Sequence, residues 1–106
     1  MVEVAQSADL LLENEHGEIV EVPLDVHDFV KKAVVAADDT SLVLKEFDLY
    51  GDLRLDASRM DDFLKDWADA ERLVVSSQER DTWDTVQRLA RRVAEERSLV
   101  IRLSGD

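Results

Sequence analysis

The sequence lacks cysteine altogether and has one proline and three glycines among its 106 residues. With no thiol there is no disulfide framework, no thiolate nucleophile and no Cys-ligated zinc. The glycines, Gly17, Gly51 and Gly105, lie too far apart to build a phosphate-cradling loop, which excludes both standard glycine-rich nucleotide motifs. Pro23 stands alone, and no stretch has linker or low-complexity character. No apolar run exceeds Ala33 to Ala37, against the roughly 20 residues of a membrane-spanning helix. Basic residues are scarce as well: 13 Lys and Arg face 25 Asp and Glu, a formal net charge of −12. That charge argues against direct binding to nucleic acid, where neutralising phosphates supplies much of the affinity. It argues equally against an anionic membrane surface. Met1-Val2-Glu3-Val4 carries an acid and none of the basic residues that open a signal peptide, so the expected compartment is the cytoplasm.

What is present is material for a core. Hydrophobic residues make up 45% of the chain, enough for one small domain over residues 1–106. Residues 9–14 and 18–22 read as two strands joined at His16-Gly17, where Gly17 can supply the positive φ of a tight hairpin. Alternation puts Leu10 and Leu12 on one face, and Val20 and Val22 on one face of the partner strand. Val26, Phe29, Val30, Ala33 and Val34 recur at helical spacing and predict a helix over 25–37. The run Leu42-Val43-Leu44 predicts a third, central strand over 41–47. Leu53-Arg54-Leu55 predicts a short fourth strand. A second helix fits 58–74 on the stripe Met60, Phe63, Leu64, Trp67, Glu71 and Val74, all apolar but Glu71. A third, opened by the capping box Ser76 and Glu79, carries Trp83, Val86, Leu89, Ala90 and Val93. Leu99 to Leu103 reads as the last strand. The order β-β-α-β-(β)-α-α-β predicts an α+β fold, a small mixed sheet with three helices on one face and the last strand inserted among the earlier ones.

Few residues gather in a pattern that carries chemistry. His16 and His27 belong to separate elements and form no metal-ligand pair. The serines fall at caps, strand ends and termini, and no Gly-x-Ser-x-Gly elbow exists. Nothing calls for a cofactor. Asp48, Asp52 and Asp56, spaced by four, read either as oxygen ligands for a divalent cation or as turn and helix-cap residues, and the latter fits better because the spacing is not that of a calcium loop. Asp62, Asp66 and Asp69 share one side of the second helix, opposite Phe63 and Trp67, and read either as a solvated face or as a contact, since like charges one turn apart carry a small cost that a basic partner can offset. On the third helix Asp84–Arg88, Arg91–Glu95 and Arg92–Glu96 have the spacing of intrahelical ion pairs, as Asp61–Lys65 does on the second.

The turn Asp48-Leu49-Tyr50-Gly51-Asp52, the amphipathic and charged helices after it, and the apolar strand closing on Gly105-Asp106 resemble a group of small, uncharacterised, mostly actinobacterial proteins with an Asp-x-Tyr-Gly-Asp turn. The resemblance covers residues 42–106 and implies a fold and a turn (Asp48, Tyr50, Gly51, Asp52), with no activity attached. The group commonly has Thr after the second Asp, where this chain has Leu53, which weakens any polar site at that point.

The expected function is therefore a non-catalytic, cytoplasmic protein-interaction module, similar in size and charge to immunity proteins and antitoxins, that meets a basic protein through acidic surface. The candidate contact residues are Glu13, Glu15 and Glu18 of the hairpin and Asp62, Asp66 and Asp69 of the second helix. The alternative is a divalent-metal-binding or small enzymatic domain at the Asp48–Asp56 turn. A homodimer through apolar surface left uncovered is a third option. Residues 1–53 hold 13 acids and 3 bases, a net of −10, so the hairpin half is where a basic partner is expected first.

Overall fold

Alternating leucines along two seven-residue strands dictate the centre of the sheet. In a computed structural model that describes residues 8–23, 26–37, 41–46 and 52–105, the elements are β1 (Ala8–Asn14), β2 (Ile19–Glu21), α1 (His27–Ala36), β3 (Asp52–Leu55), α2 (Met60–Ala70), α3 (Ser77–Glu95) and β4 (Leu99–Gly105). The strands form one sheet in the order β2-β1-β4-β3, so the last strand does insert among the earlier ones. All three pairings are antiparallel, which makes the sheet antiparallel where a mixed one was expected. β1 and β4 pair along their whole length, with Leu10 opposite Leu103 and Leu12 opposite Ile101. Leu55 of β3 faces Ile101 from the other side. These five side chains are buried, and the helices pack on the face they form. The fold is a small α+β fold.

The expected helical stripes are the ones that pack. Val26, Phe29, Val30, Ala33 and Val34 are buried from the first helix, and Trp83, Val86, Leu89, Ala90 and Val93 from the third. Trp67 of α2 stacks on Phe63, centroids 5.8 Å apart, and meets Phe29 of α1 edge-on at 5.6 Å. The two tryptophans also exchange hydrogen bonds. Trp67 Nε1–H donates to the Trp83 carbonyl (3.0 Å), and Trp83 Nε1–H donates to the Trp67 carbonyl (2.7 Å). The second bond exists because α2 tightens into a 3-10 turn over Glu71–Leu73. The Glu71 amide bonds back to Ala68, leaving the Trp67 carbonyl for the indole. Buried indoles need such partners, and this pair fixes α2 against α3.

Ser76 caps α3 by accepting from the Glu79 amide, while the Glu79 carboxylate accepts from the Val75 amide and meets Lys32 Nζ at 3.0 Å. Lys32 also donates to the Leu73 carbonyl, so one lysine of α1 ties down the turn between α2 and α3.

Two expectations are corrected. Residues 41–46, the described part of 41–47, form no strand: 42–43 bend and 44–46 are a helical turn. A run of three apolar residues does not distinguish a strand from a short buried helical segment. Val43 and Leu44 are buried as expected, but Leu42 faces outward. In the hairpin, Gly17 has the expected positive φ of 81°, and the Asn14 carboxamide closes the turn by accepting from the His16 and Glu18 amides. However, Val20 and Val22 are exposed, because β2 is a three-residue edge strand whose pairing with β1 is bulged between Leu12 and Glu13.

Candidate functional site

The six candidate acids divide into two kinds. Asp66 is only 9% exposed and faces the segment 41–44. Its Oδ2 accepts from the amides of Leu42 (3.1 Å), Val43 (2.6 Å) and Leu44 (3.0 Å) and from the Ser41 hydroxyl (3.1 Å), and its Oδ1 accepts from the Leu42 amide at 2.9 Å. The first amides of a helical turn have no partner within it. Here a carboxylate from another helix supplies the cap, and Ser41 Oγ adds a bond from the Lys45 amide. Asp66 is thus corrected from a partner-facing acid to an internal clamp. The reason is angular. At about 100° per residue, Asp66 stands about 60° from Phe63 and about 40° from Ala70, on the flank of the buried stripe.

Glu13 is corrected in the same way. It is 5% exposed, on the sheet face away from the helices, with Arg102 at 3.5 Å and Arg54 at 4.0 Å. Cross-strand register brings the three together, since Arg54 pairs opposite Arg102 and Glu13 lies diagonal to it on β1.

The other four acids reach solvent. Glu15 and Glu18 flank Gly17 at the hairpin end. Neither meets a Lys or Arg within 4.0 Å among the described residues; Glu15 has only His16 at 3.7 Å, and Glu18 accepts from the Asn14 side chain. Asp69 is exposed beside Arg72 at 3.5 Å, and Asp62 is half-buried with no described ion pair. No described hydrogen bond or ion pair links the hairpin set to the α2 set.

The arginines of α3 are spent differently from their sequence spacing. Arg88 reaches across to Glu21 of β2 at 2.8 Å, which raises its pKa above the ordinary value through that hydrogen bond. Arg92 meets both Glu21 and Glu96. Among the described residues Arg92–Glu96 forms as expected, whereas Asp84–Arg88, Arg91–Glu95 and Asp61–Lys65 do not. The hairpin edge is thereby tied to α3 through Glu21, which sequence spacing alone gives no means of finding.

At the Asp48–Asp56 turn, residues 47–51 lie outside the described residues, and with them Asp48, Tyr50 and Gly51 of the turn motif. Asp52 begins β3. Asp56 caps the 3-10 turn Ala57–Arg59 by accepting from the Ser58 amide and hydroxyl, and these bonds lower its pKa, the hydroxyl's most of all. No group of three or more potential ligands is gathered among the described residues. A cleft of about 230 Å³ between α1 and α2 is lined by Ala33, Ala37, Ser41, Asp66, Asp69 and Ala70 among others. Ser41 and Asp66 both line that cleft, where the Ser41 hydroxyl donates to an Asp66 oxygen that also accepts from the amides of Leu42, Val43 and Leu44. No helix among the described residues is long and apolar enough to cross a membrane. Compared with known proteins, the chain matches no family model, no curated protein and no solved structure.

Proposed function

We propose that the chain is a non-catalytic protein-interaction module of the bacterial cytoplasm, which meets a basic protein through its hairpin end. The observation that supports this reading is the contrast between matched and unmatched acids. Glu21, Glu46, Glu71 and Glu79 each meet an Arg or Lys of another element. Glu15 and Glu18 meet none within 4.0 Å among the described residues, and they lie in the half of the chain that carries 13 acids against 3 bases. Unmatched surface carboxylates steer a positively charged partner and set its orientation.

The test is affinity purification of the full chain from its host at about 50 mM and about 0.5 M salt, where surface charges more than a few ångströms apart are largely screened. A basic protein retained at the lower salt and released at the higher is expected. With that partner in hand, the double change Glu15→Gln and Glu18→Gln lowers the association rate about tenfold, the size of effect that electrostatic steering carries. Binding that ignores both salt and these two carboxylates refutes the reading.

A further inference from the structure

On one side the sheet ends at β2, which pairs only with β1 among the described residues. The outer edge of such a strand presents N–H and C=O groups that another extended chain can complete. Proteins guard these edges by keeping them short, by bulging them and by lining them with charge, lysine above all. β2 has the first two guards: it is three residues long and its pairing is bulged. The third is missing. Ile19, Val20 and Val22 are 61%, 40% and 52% exposed. The charge within the strand, Glu21, is turned toward Arg88 and Arg92 of α3. What remains exposed in β2 and the residue after it is Ile19, Val20 and Val22, with Glu15 and Glu18 toward one end.

Branched aliphatics are costly to leave in water and well suited to strand pairing. The choice of occupant follows from charge. A second copy would bring another net −12 to the same edge, with its own Glu15 and Glu18 near the three aliphatics. A basic segment meets complementary charge there. We infer that β2 is a docking edge for an extended, basic and aliphatic segment of the partner, which adds to the sheet as a fifth strand. Its aliphatic side chains cover Ile19, Val20 and Val22, and its Lys or Arg side chains reach Glu15 and Glu18. The inference rests on the proposed basic partner and adds where and in what conformation it binds.

The probe is a blocked synthetic peptide of about eight residues alternating valine and lysine, long enough to span one strand. It is titrated to millimolar concentration into the isotope-labelled full chain and followed by amide NMR. Two control peptides are used, one N-methylated at alternate residues to remove edge hydrogen bonds and one with glutamate in place of lysine. The expected result is shift changes and slowed exchange centred on Ile19–Val22, with no binding of either control. The variant Val20→Lys, at an exposed position, weakens the peptide at least tenfold while leaving the far-ultraviolet circular dichroism unchanged. Shifts centred on Asp62 and Asp69 overturn the edge inference and the hairpin end as the contact, and leave standing only the preference for a basic partner. Equal binding of the N-methylated peptide, of the glutamate peptide or to Val20→Lys overturns it too, as does concentration-dependent dimerisation through β2. If the valine–lysine peptide does not bind and the host partner's affinity is insensitive to salt, both readings fall.

Discussion

Removing the Asp66 carboxylate tests the internal clamp directly. In Asp66→Ala the amides of Leu42, Val43 and Leu44 lose their acceptor together, while Val43 and Leu44 stay in the core. A buried amide left without a partner costs about 1–3 kcal/mol, and a lost helix cap typically about 1 kcal/mol. Water entering at the exposed Leu42 end recovers part of this, so the expected net loss is about 3–5 kcal/mol. Asp66→Asn keeps one acceptor oxygen but loses the charge. Bonds to a charged acceptor exceed neutral ones by about 1 kcal/mol, which places this variant at about 1–2 kcal/mol. Asp62→Ala and Asp69→Ala, on the same helix, should each stay within about 0.5 kcal/mol, as surface substitutions do. Against a total stability of about 5–15 kcal/mol, only the alanine variant at 66 approaches unfolding. Urea denaturation of the four variants measures the ranking, and hydrogen exchange at Leu42, Val43 and Leu44 locates it. If Asp66→Ala lies within about 1 kcal/mol of the parent, or exchange at those amides is unchanged, the clamp does not hold the segment.

Two further predictions concern the helix layer. Trp83→Phe keeps most of the buried ring but removes the donor to the Trp67 carbonyl; it should cost about 1–3 kcal/mol in thermal or urea unfolding, and an unchanged midpoint would show that water replaces the indole. Glu79 has its pKa lowered below the ordinary 4.5, first by the Val75 amide and then by Lys32. A lowered carboxylate stabilises the fold above its unfolded pKa and stops doing so as pH falls through the folded value. Stability should therefore drop from about pH 4.5 downward, and Glu79→Gln should flatten that slope. An identical acid limb in the variant contradicts the assignment.

The parts of the fold legible in the sequence are those where one element's own periodicity decides the outcome. The stripe of α1 from Val26 to Val34, the stripe of α3 from Trp83 to Val93 and the positive φ at Gly17 all follow from local spacing. Residues 41–47 were not legible, because Leu42-Val43-Leu44 takes its conformation from a carboxylate more than twenty positions away. The same contact explains why Asp66 reads as a surface acid beside Asp62 and Asp69: its amide partners come from a different segment. A usable signal did exist in its three-residue spacing from Phe63 and four-residue spacing from Ala70, which put it at the boundary of the buried face. Glu13 carried no such signal, since strand alternation assigns it to the outer face without saying that Arg54 and Arg102 flank it there.

Net charge alone therefore overstates the surface on offer to a partner. Asp66, Glu13, Glu21 and Glu79 are acids whose oxygens already hold backbone amides or cations of this chain. Neutralising any of them changes the fold's stability before it changes recognition, so a loss of binding in such a variant says little about a contact. Glu15 and Glu18 differ in kind. Among the described residues their carboxylates hold no distant element; Glu18 accepts from the Asn14 side-chain amide, and the Asn14 side-chain oxygen closes the hairpin turn. They also lie near Ile19, the first residue of β2, which pairs only with β1 among the described residues. Asp62 and Asp69 reach solvent as well, but Asp69 shares its charge with Arg72, and no exposed large hydrophobic residue lies on α2 with them. A protein interface needs a desolvated apolar centre with polar groups at its rim. Next to the hairpin pair lie three exposed aliphatic residues, Ile19, Val20 and Val22, whereas Asp69 has one, Leu42, on the cleft it lines.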